Sequence, residues 1–379
     1  MMIALFFILS LQSATPDIVV SGRRLSEAHA ACVEQGCSPL RDAQASIAFA
    51  EQQFRDGAYL KARRTLMAAI SRNKRHAATD PKPVSALYEA YATVSLHDGD
   101  LDAFKGAVGQ QVRTLRDNLP ANDPAVVAAT FATGDMWLEI GKGRTAEISY
   151  KTVEREASAN GNAVLALQAT LRRVRLANAR GDTAGAARLM AEAEARPIAA
   201  DPKLRAVLQV VRLRLAAGRK DDTQIDQLVR AIGHYGSTRP TLIWAPSYES
   251  TGIAAAQEAA AKFDLRNPVP ARSSDVDPIQ WVDIGFWIRP DGKTNEPEIL
   301  RGSRSTGWAG YLLKQVSERR YTGFSTGGAD HGVYRVERFT LRGTYQVPTG
   351  SLIRRRGDAA RLEVLDLTQP DTSVPAKSL

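Results

Sequence analysis

Five glycines limit what this chain can fold into. Gly57, Gly99, Gly141, Gly181 and Gly218 stand 42, 42, 40 and 37 residues apart, each closing an alanine-rich, helix-patterned stretch. A near-constant period of this size describes helical hairpins stacked in an array, because a single hairpin cannot bury its own apolar face. The residues after each glycine repeat too. FRDGAYLKARRTLMAAI carries Tyr59, Ala62 and Ala69, RGDTAGAARLMAEAEA carries Ala186 and Ala193, and IGKGRTAEISYKTV carries Ala146 and Val153. Small residues five and twelve positions past the glycine share one helix face, where they let a second helix approach closely. LHDGDLDAFKGAV departs from the pattern by placing Phe104 at the small position. The array is expected over residues 42–235, with an alanine-rich bundle of no particular family as the alternative.

Before the array, Ile3–Leu11 is a short apolar run followed by the small residues Ser13 and Ala14. That is the pattern of a secretory leader over residues 1–14, and it is too short for a bilayer-spanning helix, which needs about 20 apolar residues. The expected location is the periplasm, with membrane association if the leader is retained. The segment 15–41 holds the only two cysteines, Cys32 and Cys37. In an exported chain such a pair reads as a disulfide, provided Gly36 breaks the helix so that the Cα atoms approach within about 7 Å. Zinc would need four ligands, and no histidine pair stands nearby.

Composition excludes some functions. Hydrophobic residues at 44% and charged residues at 24% describe a globular chain of 379 residues, long enough for two domains. The net charge of +9 comes from arginines spread along helices rather than gathered with aromatics, so solvated helix faces are expected and no nucleic-acid partner. Gly141-Lys142-Gly143-Arg144-Thr145-Ala146 matches a dinucleotide-loop spacing, but Asp135–Ile140 before it reads as helix rather than strand. Ser71-Arg72-Asn73-Lys74 lacks the companion motifs of serine acyl-transfer enzymes. Asp330-His331 sits in a glycine-rich loop, unsuited to holding a catalytic pair. The expectation is a non-enzymatic chain without metal or cofactor.

The character changes past residue 235. Pro240–Pro246 reads as a short strand, Gly252–Phe263 as one helix and Asp264–Gln280 as a linker, together a connection over 236–280. Then WVDIGFWIRPDGKTNEPEILRGS begins. Val282, Ile284, Phe286 and Ile288 alternate as in a half-buried strand, Pro290-Asp291-Gly292 turns the chain, and Ile299-Leu300 lie on the return, with Pro297 near its start. Trp308, Leu312 and Val316 recur every four residues, marking one amphipathic helix. GVYRVERFTLRGTYQV forms a third strand, and Leu362–Leu367 one more.

These residues suggest two families. The helical stretch resembles the tetratricopeptide repeat (TPR), whose turn glycine, tyrosine and small residues have this spacing. VDIGFWIRPDGKTNEPEILRGS, the Trp308 helix, Arg319-Arg320-Tyr321 and the strand from Gly332 resemble the C-terminal domain of TonB-family energy transducers. The chain departs from that family in lacking an aromatic-Pro motif before Trp281 and in placing Thr322-Gly323 where a proline is expected. Force transduction is therefore not expected. The implied fold is α+β with two domains: an all-α TPR-like solenoid at 42–235, then a small α+β sandwich of β-β-α-β order at 281–369, and a tail at 370–379.

The TonB resemblance implies capture of an extended segment as an added strand. The expected edge is the third strand, at Tyr334, Arg335, Val336, Glu337, Arg338 and Phe339, whose charges would equally guard an unoccupied edge. The implied partners are other envelope proteins, outer-membrane TonB-dependent transporters among them, and the function is binding linked to transport. The alternative is a TPR adaptor of the cell envelope whose C-terminal module is structural, or forms a homodimer through strand pairing.

Overall fold

The computed structural model describes residues 22–217, 240–246, 279–303, 306–324, 332–346 and 355–368. The leader, Gly218, the helix expected at 252–263, Asp330-His331 and the tail at 370–379 lie outside the described residues. The chain divides into two compact units between Ile198 and Ala199, before the expected end of the array at 235.

The first unit is helical. In order it contains α1 (Gly22–Gln35), α2 (Pro39–Arg55), α3 (Tyr59–Asn73), α4 (Pro81–His97), α5 (Leu101–Asn118), α6 (Pro124–Ala129), α7 (Ala132–Glu139), α8 (Gly143–Ala159), α9 (Ala163–Ala179) and α10 (Thr183–Glu194). Gly57, Gly99, Gly141 and Gly181 have φ of 75°, 80°, 77° and 78°, a region open to glycine and costly for other residues. At each, the glycine amide donates three residues back and the next amide five back, as in Gly57 N to Phe54 O (2.9 Å) and Ala58 N to Gln53 O (2.8 Å). This Schellman closure satisfies the last carbonyls of one helix. Gly161, not singled out from the sequence, does the same between α8 and α9 with φ 71°. The residue after the glycine often starts the next helix: Asp100, Asn162 and Asp182 accept from Ala103, Leu165 and Gly185 amides at 3.0, 3.0 and 2.8 Å.

The small residues lie where the spacing places them. Ala62, Ala69, Ala146, Ala186 and Ala193 are all buried, and Val153 with them. Phe104 is buried as well, in a cluster where Ala92 and Ala107 leave it room beside Met136. Ion pairs then tie helix to helix. Arg63 of α3 holds Asp98 and Asp100, the residues flanking Gly99. Glu154 of α8 accepts from Arg173 of α9 (2.5 Å) and from Arg196 beyond α10. Asp42 of α2 accepts from Arg72 (2.7 Å) and Asn73 (2.6 Å). Ahead of α2, Gly36 at φ 79° ends α1, so Cys32 and Cys37 form a disulfide with a Cα–Cα distance of 4.9 Å.

The second unit contains α11 (Pro202–Ala217), β1 (Leu242–Trp244), β2 (Gln280–Ile288), β3 (Thr294–Gly302), a 3-10 turn (Gly307–Ala309) running into α12 (Gly310–Ser317), β4 (Arg320–Tyr321), β5 (Val333–Gln346) and β6 (Arg355–Asp366). α11, read as part of the array, sits here because its Arg214 donates to Leu242 O of β1 at 3.0 and 2.5 Å. The main sheet is antiparallel in the order β3-β2-β5-β6, and β1 pairs with β4 in a separate ladder. Val282, Ile284, Phe286 and Ile288 are fully buried on one face, as are Leu312 and Val316 of α12. Pro297 lies inside β3 rather than near its start. It follows Glu296 at φ 51°, where β3 carries an extra residue against β2. A missing donor is tolerated there because β3 is an edge.

Two buried ion pairs flank β5. Glu337 and Arg338 are consecutive, so they face opposite sides of the sheet. On the α12 side Glu337 meets Arg319 at 2.7 Å, and the Arg319 guanidinium lies 5.6 and 5.7 Å from the Phe286 and Phe339 rings. Burial beside this pair pushes the Tyr321 hydroxyl up to about 12. On the other side Arg338 grips Asp283 with two bonds of 2.7 and 2.8 Å and stacks 3.9 Å from the Trp281 ring. Arg319→Met strands the buried Glu337 carboxylate and is expected to cost about 3–5 kcal/mol in urea unfolding. Replacing both partners, as Arg319→Met with Glu337→Leu, should recover most of that loss.

Candidate functional site

The edge expected on the third strand is not an edge. β5 lies between β2 and β6, and the tail strand that covers it runs from Arg355, well before the Leu362–Leu367 stretch read from the sequence. Val336 is closed off by Leu367 N to Val336 O (2.8 Å) and by its own amide donating to Thr368 Oγ1 (3.1 Å). Glu337, Arg338 and Phe339 are in ladder register with Asp366, Leu365 and Val364. Tyr334 and Arg335 precede the β6 ladder. Tyr334 packs on Trp287 with ring centroids 5.0 Å apart, while Arg335 donates to Pro240 O (2.9 Å) and reaches Asp366 (3.5 Å). The charges read as edge guards are therefore committed to internal partners.

Among the described residues the edges of the sheet are β3 and β6, and they differ. β3 carries Pro297, the Glu296 bulge and the exposed Glu298 and Arg301, all features that obstruct pairing with another strand. β6 has no proline. Because Leu367 N points at β5, the alternation of an antiparallel ladder turns the amides and carbonyls of Leu362, Val364 and Asp366 to the outer side. Among the described residues no strand pairs with that side.

The chemical motifs resolve into structure. Gly141 follows α7 and Gly143 opens α8, so a helix rather than a strand precedes the loop. Ser71 and Lys74 are exposed at the end of α3. Among the described residues no cluster of histidine, cysteine or carboxylate side chains has metal-binding geometry, and no helix is long and apolar enough to cross a membrane.

Two exposed carboxyls of the helical unit are raised. Glu51 of α2 and Glu89 of α4 are exposed, yet desolvation raises both carboxyls; for Glu51 the nearby Arg55 partly offsets it. The sign follows from linkage: a carboxyl raised in the folded state costs stability as pH climbs past the ordinary carboxylate range. Glu89→Gln should therefore raise the thermal midpoint at neutral pH and leave it unchanged at pH values where Glu89 is protonated. Scanning calorimetry at both pH values checks this.

No family model matches the chain, and no curated protein is significantly similar to it. Among solved structures, it is similar to the nearly identical TPR-like repeats assigned to a kinesin light chain of Podosopora anserina, at 14% identity over 51% of this chain and 94% of that one, with a TM-score of 0.38. A point variant of those repeats gives the same TM-score of 0.38. BtubC (BKLC) from P. vanneervenii is similar at 16% identity over 67% of this chain and 93% of that one, with a TM-score of 0.40. Likenesses at this level carry no functional conclusion, and the helical-hairpin architecture stands on the chain's own turns and packing.

Proposed function

We propose that this chain is a protein-interaction scaffold. Its helical hairpins offer a surface to a protein partner, and its C-terminal module pairs through the outer edge of β6 with a second copy of itself. The carrying observation is the contrast between the sheet's edges: β3 is obstructed, and β6 presents the outward amides of Leu362, Val364 and Asp366. Antiparallel pairing of β6 with its own copy needs no second binding surface, since a twofold interface uses the same patch twice.

The finer reading is export to the periplasm and capture of a segment from an outer-membrane transporter. The apolar run Ile3–Leu11 and the Cys32–Cys37 disulfide support export, because disulfides persist in oxidising compartments. Strand capture, if it operates, falls to the same edge of β6.

Val364→Pro removes an outward amide and leaves the β5 ladder intact. The wild-type chain is expected to elute with a dimer's mass in size exclusion with light scattering, and Val364→Pro with a monomer's mass and unchanged circular dichroism. A monomeric wild type would sink the dimer. A photo-crosslinker at Glu363 in cells then separates the readings: adducts to its own chain support pairing, and adducts to outer-membrane transporters support capture.

A further inference from the structure

The helical unit places one arginine differently from its neighbours. Arg63, Arg173 and Arg196 are all partly buried, and each meets a carboxylate: Asp98 and Asp100 for the first, Glu154 for the other two. Arg175 of α9 is partly buried as well, and its Nε is buried with no hydrogen-bond partner; the Nε of Arg173 is too, but Arg173 holds Glu154 through Nη1. Among the described residues no carboxylate pairs with it.

The carboxylate that acts on it electrostatically is already occupied. Asp135 of α7 accepts the Tyr150 hydroxyl at 2.6 Å and Arg172 Nε at 3.2 Å, both on Oδ1. Arg172, one helical turn before Arg175, is fixed further by lying 3.8 Å from the centre of the Phe131 ring. Asp135 is thus bonded to Arg172 and is also the one carboxylate whose charge favours the Arg175 cation. Burial and the neighbouring Arg172 both weaken Arg175's hold on its proton, while Asp135 and Tyr150 act in the opposite sense. A guanidinium stays charged under all ordinary conditions, so it cannot relieve this imbalance by losing a proton. What relieves it is an anion with two oxygens to meet the fork.

We propose that Arg175, with Arg172 beside it, receives a carboxylate from an acidic segment of a protein partner. This rests on reading the helical unit as a partner-binding surface, and it is independent of the β6 edge. Carboxylate is the simplest anion a protein partner offers, and the planar guanidinium matches it with paired hydrogen bonds.

The test uses the full chain, at physiological salt, with fluorescein-labelled decapeptides of glutamate, of glutamine, and of phosphoserine spaced to equal charge. Arg188, exposed on α10, supplies a control that loses the same charge. The glutamate peptide should bind and the glutamine peptide should not. Arg175→Gln should weaken glutamate-peptide binding about tenfold or more, as expected for a charged hydrogen-bonded contact. Arg188→Gln should change it by less than about twofold, as expected for one exposed charge. Arg175→Leu should raise the thermal midpoint of the free protein, because an unpaired, desolvated cation is removed; a purely structural arginine would lower it. Equal losses in Arg175→Gln and Arg188→Gln, equal binding of the glutamate and glutamine peptides, or a lower midpoint for Arg175→Leu would overturn the proposal. Tighter binding of the phosphoserine peptide would overturn the choice of carboxylate. None of these outcomes depends on whether β6 forms a dimer.

Discussion

A strand that buries two consecutive charged residues needs a counter-charge on each face of its sheet. β5 does this with Glu337 and Arg338, and the rest of the second unit is arranged around the two partners. Arg319 comes from the end of the helix that covers one face, and Asp283 from the strand alongside on the other. Sliding β5 by one residue against β2 would exchange the faces and leave both charges unpaired, a cost of several kcal/mol for each buried ion. The ion pairs thus fix a register that hydrophobic alternation alone would hold less strictly. They also fix the helix, because Arg319 reaches Glu337 only when α12 ends over the middle of the sheet. Gln315, one turn earlier, accepts from the same arginine (3.0 Å) and donates to Pro246 O (3.2 Å), tying the 240–246 segment to that point.

The helical unit solves a different problem, the joining of many short helices at steep turns. Its answer is local and repeated. A glycine at positive φ closes one helix, and at three of the turns the next residue opens the following one. The ion pairs then connect what the turns leave adjacent. Arg63 binds on both sides of Gly99, so one side chain fixes a turn in the following hairpin. Burial would raise the Asp42 carboxyl, but hydrogen bonds from Arg72, Asn73 and Ser46 outweigh it and hold the group below its ordinary value. That stabilisation is present above the ordinary carboxylate range and fades as acid protonates Asp42.

What could be read from the sequence was what depends on neighbours in the sequence. The turns at Gly57, Gly99, Gly141 and Gly181, the small helix positions, the β2 alternation and the Trp308 helix needed only local spacing, and they stand where they were expected. The disulfide was legible for the same reason, since Gly36 alone decides whether Cys32 and Cys37 can meet. Edge status was not legible, because it depends on which strand pairs beside β5. The strand that does so begins with Arg355-Arg356-Gly357-Asp358, a run with no alternation. Glu337 and Arg338 looked solvent-facing because their partners are 18 and 55 residues away. Arg175 was overlooked, yet α9 did carry a signal: AVLALQATLRRVRLANA has three arginines and no acidic residue, so any counter-charge had to come from elsewhere.

Charge pairing also narrows where function can reside. A buried charge that has found its partner serves the fold, and most of the charges singled out here are of that kind: Asp42, Arg63, Glu154, Asp283, Arg319, Glu337 and Arg338. A group buried without a partner destabilises the free protein, and a partner that reaches it relieves the cost. Among the described residues, the outward amides of β6 meet no strand and the Arg175 guanidinium no carboxylate, while buried atoms such as Trp308 Nε1 and the Tyr311 hydroxyl also lack a partner. The β6 edge asks for a strand and the guanidinium for an anion, and a protein chain can supply both. On that convergence the proposed role as an interaction scaffold rests.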